Sequence, residues 1–577
     1  MLRKLSLLAV VLISLSSPTN AQQKSTAASN SDNAAVTGAI SGRVVNDAGQ
    51  PLPGAVVRVY ASGAVTQARV AAADNEGNFY ITGLDPAAYL VYATLPAYVP
   101  VPREVDTGTP YYRIGDSVRM EMTKGGVITG TVSTATGEPV VSVRVRALQI
   151  KNARGEPPRG PMPVYTEQLT DDRGIYRIYG LTPGTYLVYA GGAVGQSFGA
   201  INSYDSDAPT YAPSSTRDTA AEIAVRPAEE NSVDIRYRGD PGYVVSGTIK
   251  SAVSNGMSVS LLPAGPVVGQ AGNAFVPPGT AGFAFNGIAD GDYYVIAQAS
   301  LPNPGASPEM LMSEPRRVTV RGADVTGVEL ETKSLASISG HFVLEPSKAP
   351  ECQAKRQPLL TETLITWERK PRASDKEPFF LPSSSSSANA DKDWNFVFRN
   401  LGPAQYSFSP RFFARYWFLQ SITVPPPAGS KSNTRVDVAR NWTNLKWGER
   451  LTGLTVTLAE GAASIRGKVT AAEETAKLPG ALSSFLVPAE RDKADDVLRF
   501  FVSDVAGDGS FAMNNLPPGR YLMLVQTQEN EVSSMNKLRS PSAADTRTKL
   551  RQKAEVTRKE IELKPCQNLT DYQFQYK

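Results

Sequence analysis

Ile40-Ser-Gly42-Arg-Val44 decides the fold, because the chain writes the same form again at Ile128-Thr-Gly130-Thr-Val132, Val245-Ser-Gly247-Thr-Ile249, Ile338-Ser-Gly340-His-Phe342 and Ile465-Arg-Gly467-Lys-Val469. In an extended strand residues i, i+2 and i+4 share a face. Each copy therefore turns two apolar side chains to one side with a glycine between them. The missing side chain lets another backbone or a large ring approach there.

A second form follows each opening, several strands later. It reads Phe79-Tyr-Ile81-Thr-Gly83-Leu84 up to Tyr89, then Tyr176-Arg-Ile178-Tyr-Gly180-Leu181 up to Tyr186. The remaining copies are Phe283 to Tyr293, Phe396 to Tyr406 and Phe511 to Tyr521, always with a Gly/Pro-rich or Asn-bearing turn between the two rings. Gly or Asn permits a left-handed backbone at the turn. The apolar residue after it plugs the end of a core, and proline stiffens the loop. Alternation then resumes in Tyr186-Leu-Val188-Tyr and Tyr521-Leu-Met523-Leu, a returning strand. The tyrosine packs its ring inside and needs a partner for its hydroxyl. Most repeats close on a third form, as in Gly115 to Met122, Gly322 to Leu330 and Gly448 to Leu458, and the next opening comes within a few residues. Linkers that short couple neighbouring modules.

Working outward, 577 residues with 41% hydrophobic and 20% charged content describe several folded domains and not a disordered chain. The start reads as a secretory leader over 1–21: Arg3 and Lys4, an apolar run from Leu5 to Leu15, and short residues at Thr19-Asn-Ala21. No later stretch is apolar enough for a membrane span. Removing the leader lowers the net charge from +4 to +2, too small a field to hold nucleic acid. The expected plan is a disordered lead over 22–37 and five all-β sandwich modules at 38–123, 124–240, 241–334, 335–460 and 461–577. Ser540-Pro-Ser542-Ala-Ala-Asp545 has capping-box spacing and predicts a short C-terminal helix, with Leu550 and Ala554 on its packed face.

Gly42-Arg-Val-Val-Asn-Asp-Ala-Gly-Gln-Pro-Leu-Pro-Gly54-Ala-Val-Val-Arg-Val59, followed by Asp74-Asn-Glu-Gly77-Asn-Phe79, resembles the carboxypeptidase regulatory-like domain. The resemblance is strongest over 38–94 and 125–190. It implies a prealbumin-like sandwich, a fold also classed as carbohydrate-binding-like. The tandem arrangement, with its tail Leu563-Lys-Pro-Cys566-Gln, is similar to exported proteins of soil bacteria, chiefly acidobacterial ones. The fold serves many roles, so it implies little about function.

Peptidase chemistry is not expected, because a zinc site needs several ligands and His341 is the only histidine. It sits beside Gly340, on the opposite face of its strand. No nucleophile elbow, phosphate loop or dinucleotide fingerprint occurs, and no catalytic residue, metal or cofactor is assigned. The acidic clusters Asp74 to Gly77, Asp171 to Gly174 and Asp504 to Gly509 lack a full calcium loop and read as hairpin turns.

All five tryptophans, Trp367, Trp394, Trp417, Trp442 and Trp447, fall in the fourth module, near Arg411-Phe-Phe-Ala-Arg-Tyr-Trp-Phe418 and the polar run Ser383 to Ser387. Exposed aromatic faces stack on sugar rings, so these are the candidate ligand-binding residues, weighed against the simpler reading as core. Cys352 and Cys566 read either as a disulfide, permitted in an exported chain, or as two free thiols. The first expectation for function is a non-catalytic periplasmic or extracellular array binding carbohydrate or another surface polymer. The alternative is a structural or protein-interaction stalk whose partner is a cell-surface protein.

Overall fold

The computed structural model describes residues 37–576 except 63–67, 102–110, 158–164, 193–202, 252–255, 265–270, 303–307, 371–386, 427–428, 430–432, 473–477, 480–481 and 528–534. The leader, nearly all of the lead and most of the Ser383 to Ser387 run lie outside these residues. What is described is β-structure, relieved by short 3-10 turns and by two helices near the C-terminus.

The five glycine-bearing openings form the strands Gly38–Asn46, Gly126–Ser133, Tyr243–Lys250, Ala336–Glu345 and Ala463–Ala471. Each lies in the middle of a sheet. On one side it pairs antiparallel with the strand carrying the aromatic, and on the other it runs parallel to the closing strand. The fourth sandwich shows the plan. Its first sheet has the order Asn395–Leu401, Ala336–Glu345, Arg450–Glu460, Trp417–Val424, Val436–Asp437. The facing sheet has the order Ser387–Asn389, Leu364–Arg369, Ala404–Arg411, Thr443–Leu445. Alternate side chains from both sheets meet between them, Ile338, Phe342, Leu454 and Val456 from the first and Ile365, Tyr406 and Phe408 from the second. Separate cores of the same make lie in the other four sandwiches.

The geometry at Gly340 explains why that glycine recurs. It stands opposite Phe396 and beside Leu454 in the two neighbouring strands. A Cβ there would lie 2.2 Å from the Leu454 carbonyl oxygen and 2.6 Å from Phe396 Cζ, so a backbone and a ring share the vacated space. The closing strand bulges into it, with a register shift between Ile338 and Gly340. At Gly42, Gly130, Gly247 and Gly467 the carbonyl would be 1.9–2.2 Å from the added carbon. Gly340→Ala is expected to destabilise the fourth sandwich by about 3 kcal/mol, the cost of displacing a central strand in a full core. Urea unfolding followed by tryptophan fluorescence checks this, and an unmoved midpoint refutes it.

The tyrosine of the second form is a recurrent corner. The hydroxyls of Tyr89, Tyr186, Tyr293, Tyr406 and Tyr521 each donate to the carbonyl four residues earlier, on Asp85, Thr182, Ala289, Gly402 and Pro517, at 2.7–2.8 Å. The bond pins the turn while the ring fills the core, as in the tyrosine corner of other sandwiches.

In the last sandwich the strands Leu482–Pro488 and Gly519–Thr527 bury side chains on both faces. Their outer face, with Phe485, Val487, Leu522 and Leu524, is covered by Leu538 of helix α1 (Met535–Arg539) and by Leu550 and Ala554 of α2 (Ala544–Thr557). The expected capping box is not formed. Ser540 instead caps the 3-10 turn Pro541–Ala543, accepting from Ser542 N, and α2 begins after Ala543 without a side-chain cap.

Candidate functional site

The tryptophans do not share a surface. Trp417 is wholly buried at the centre of the fourth core. Trp367 and Trp394 pack at its margin, edge-on to Tyr406 at 5.3 Å and to Phe342 at 6.2 Å. Trp447 belongs to another cluster, packing with Leu262, Ile296, Met312 and Leu335 where the third and fourth sandwiches meet. Trp442 is half-buried beside the strand Thr443–Leu445, with Lys370 Nζ 5.8 Å from its ring centre. Clustering in sequence has not become a platform.

The acidic clusters are hairpin turns built by their own aspartates. Asp74 Oδ1 accepts from the backbone of Glu76 and Asn78 at 3.0 and 2.7 Å, and Asp171 Oδ1 from Arg173 and Ile175 at 3.0 and 2.8 Å. Those bonds to Ile175 and Arg173 hold the Asp171 carboxyl below the ordinary carboxylate range. Asp508 plays the same part toward Ser510. His341 is partly buried, with Nε2 3.5 Å from Thr455 Oγ1. Among the described residues no three His, Cys, Asp or Glu side chains are grouped to hold a metal ion.

What the fold does assemble is a set of junctions. The left-handed turn position that reads Gly83, Gly180, Gly287, Asn400 and Asn515 has φ between +57° and +71° throughout. In the last two copies the amide clasps the sandwich before it. Asn400 accepts from Met310 N at 2.9 Å and donates to the Pro308 carbonyl at 3.0 Å. Asn515 Nδ2 donates to the carbonyls of Ala414 and Trp417 at 2.8 and 2.7 Å. At Gly287 the preceding sandwich comes so close that a Cβ would stand 2.7 Å from the Ser206 carbonyl oxygen. Reading the sequence marks this position only as permissive for a turn. The change from Gly to Asn in the later copies was the one available signal that it does more.

The junction between the fourth and fifth sandwiches also carries a covalent bond, with Cys352 and Cys566 joined at a Cα–Cα distance of 5.4 Å. The two thiols meet because the opening and closing strands of a sandwich run parallel. The loop after Ala336–Glu345 therefore emerges at the pole where Arg450–Glu460 leaves for the next sandwich. Cys352 lies in that loop, in the turn Pro350–Cys352. Cys566 precedes the last strand, which starts beside the fifth opening strand, and its N–H donates to the Gly461 carbonyl in the linker at 3.0 Å. Both cysteines thus flank one linker.

The first sandwich also touches the fourth. Ala88 N donates to the Thr361 carbonyl at 3.1 Å, Ser62 Oγ donates to Asn389 Oδ1 at 3.1 Å, and Arg113 lies over the Phe413 ring at 5.8 Å.

Comparison with curated proteins yields no match. Among solved structures, the Bacillus anthracis TIE protein is 13% identical with a TM-score of 0.14, over 52% of this chain and 51% of that one. The chain thus spans about half of that protein's length. The minor pilin GBS52 of Streptococcus agalactiae is 12% identical with a TM-score of 0.19, over 35% of this chain and 96% of that one. The major pilin subunit BcpA of Bacillus cereus is 12% identical with a TM-score of 0.14, over 51% of this chain and 99% of that one. Nothing about this chain's role is drawn from likenesses so slight. The model of the carboxypeptidase regulatory-like domain matches residues 39–113. Over its first sandwich the chain is therefore similar to a carboxypeptidase regulatory-like domain, in a chain that repeats the β-sandwich several times.

Proposed function

We propose that this chain is an exported, non-catalytic scaffold of five β-sandwich modules, divided at 38–123, 124–240, 241–334, 335–460 and 461–577, that serves a structural or protein-interaction role at the cell surface. The observation that supports it best is the set of junctions, where Asn400, Asn515 and the Cys352–Cys566 bond tie successive sandwiches together. Specific bonds at junctions hold modules in fixed relation, which a scaffold requires and a string of independent binding modules does not. Export rests on the leader and agrees with a disulfide, which persists in oxidising compartments. No helix among the described residues is long and apolar enough to cross a membrane.

The carbohydrate reading is carried into the test. Trp442 lies outside the cores and is the tryptophan best placed to meet a sugar. On a glycan array the protein and Trp442→Ala are expected to give the same signal. A glycan retained by the parent and lost by the variant would restore the polymer-binding reading.

A further inference from the structure

An open groove of about 680 Å3 lies on the first sandwich, across the strands Gly38–Asn46, Asn78–Leu84 and Ser117–Lys124. Val44, Phe79, Ile81 and Val118 of these strands face the core, so Arg43, Tyr80 and Arg119 face out. The register sets the outward side chains in rows. Tyr80, Ser41 and Ser117 make one row across the three strands, and Asn78, Arg43 and Arg119 make the next. Neighbouring strands lie about 4.8 Å apart, so Arg43 and Arg119 leave the sheet side by side. Tyr80 is 67% exposed, and its neighbour in the row is a serine, which leaves the ring uncovered on that side.

Each arginine is anchored through Nε and open at its outer nitrogens. Arg43 Nε donates to the Glu76 carbonyl at 2.8 Å and Arg119 Nε to Glu121 Oε1 at 2.8 Å. Among the described residues the Nη groups of neither arginine have a protein partner. Two guanidinium forks side by side match the oxygens of a carboxylate. The Asp74 carboxyl at the end of the groove is taken up by its own turn, accepting from Glu76 N, Asn78 N and, at 3.4 Å, Asn78 Nδ2. An extended peptide is read through pockets for alternate side chains. Here Tyr80 is the one large hydrophobic side chain among the exposed lining residues, set among hydroxyl and amide groups. A flat ring with polar groups around it suits a sugar. The fold does not require this set, because in the later copies Arg177, Ala284, Val397 and Ala512 take the place of Tyr80.

We propose that this groove binds an acidic sugar unit of an extracellular polysaccharide, its ring against Tyr80 and its carboxylate on Arg43 and Arg119. The site involves neither the junctions nor Trp442, so it stands or falls apart from the scaffold reading.

The test titrates the full, disulfide-intact chain calorimetrically with oligogalacturonate and with oligomannuronate at fixed ionic strength. Saturable binding of at least one is expected, weakened about tenfold or more by methyl esterification of the ligand. Tyr80→Ala, Arg43→Gln and Arg119→Gln are expected to weaken it as much, each losing a stacked ring or a charge-assisted contact. These side chains are exposed, so the variants are expected to keep the parent's circular dichroism. Tyr80→Phe keeps the ring and is expected to retain binding, and Arg58→Gln, on the facing sheet, to leave it unchanged. No saturable binding of either oligomer, an ester bound as tightly as the acid, or binding indifferent to the three substitutions overturns the proposal. Poly-glutamate bound through these arginines where the uronates are not overturns it as well, in favour of an acidic peptide.

Discussion

Replacing Cys352 and Cys566 by serine is expected to cost the last two sandwiches about 5 kcal/mol, leaving their folded spectra unchanged. The bond spans 214 residues of sequence. In the chain-entropy account, closing a loop of that length removes roughly 5 kcal/mol of unfolded-state freedom. If the fifth sandwich unfolds while the fourth stays folded, the tether holds Cys566 near Gly461, a loop of roughly a hundred residues, worth about 4.7 kcal/mol. The two routes agree because loop entropy grows only logarithmically with length. The figure is an upper value, since any constraint surviving in the reduced unfolded chain subtracts from it. Either single substitution should match the double one, and reductant should reproduce both. Urea unfolding with the first three sandwiches as internal reference is the measurement. A fifth-sandwich transition that does not move on losing the bond would sink the expectation.

The repeated strands were legible because their signal is local. Ile338, Gly340 and Phe342 share a face by the period of two, and the ring opposite Gly340 sits in a pattern that can be read alone. The closing strands were less so. In the second sandwich Glu230–Ser232 and Ile235–Arg236 are two short pieces, so no sustained alternation marks them. Cys566 lies in the turn before Asn568–Tyr576, with φ +54°, where no strand period marks it. The tryptophans are dispersed for a physical reason. Neighbouring strand residues face opposite ways, and residues close in sequence are shared among a core, its margin and the junction at Trp447. Asn400 and Asn515 were visible as turn residues, but their amide partners belong to another sandwich. The contact of Ala88 with Thr361 joins segments far apart in sequence, which no local period encodes.

On raising the pH, the second sandwich is expected to unfold first, beginning near pH 10. Its core holds Tyr176, Tyr186 and Tyr237, with Tyr211 in the cluster on the outer side of its facing sheet, all four buried. Burial raises all four above the ordinary tyrosine value of about 10. Asp234 adds to this at Tyr176, and the bond from the Tyr237 hydroxyl to Asp207 Oδ2, 2.8 Å, adds to it there. At Tyr186 the bonds with Thr182 oppose burial without cancelling it. A group whose folded pKa is raised gives stability that is whole below its unfolded pKa and is lost as pH climbs toward the folded value. In that window the unfolded chain has released protons that the folded one keeps. Each tyrosine then contributes a fall of about 1.4 kcal/mol per pH unit, and four together roughly 5. A domain stable by 5–15 kcal/mol cannot withstand that for more than one to three units. The fourth sandwich provides the control, because all five tryptophans lie between residues 367 and 447. Circular dichroism and tyrosinate absorbance should change together while tryptophan fluorescence stays native. Tyr211→Phe with Tyr237→Phe should flatten the slope by about half. Fluorescence that shifts at the same onset, or a slope indifferent to those substitutions, would show that alkaline loss begins elsewhere in the array.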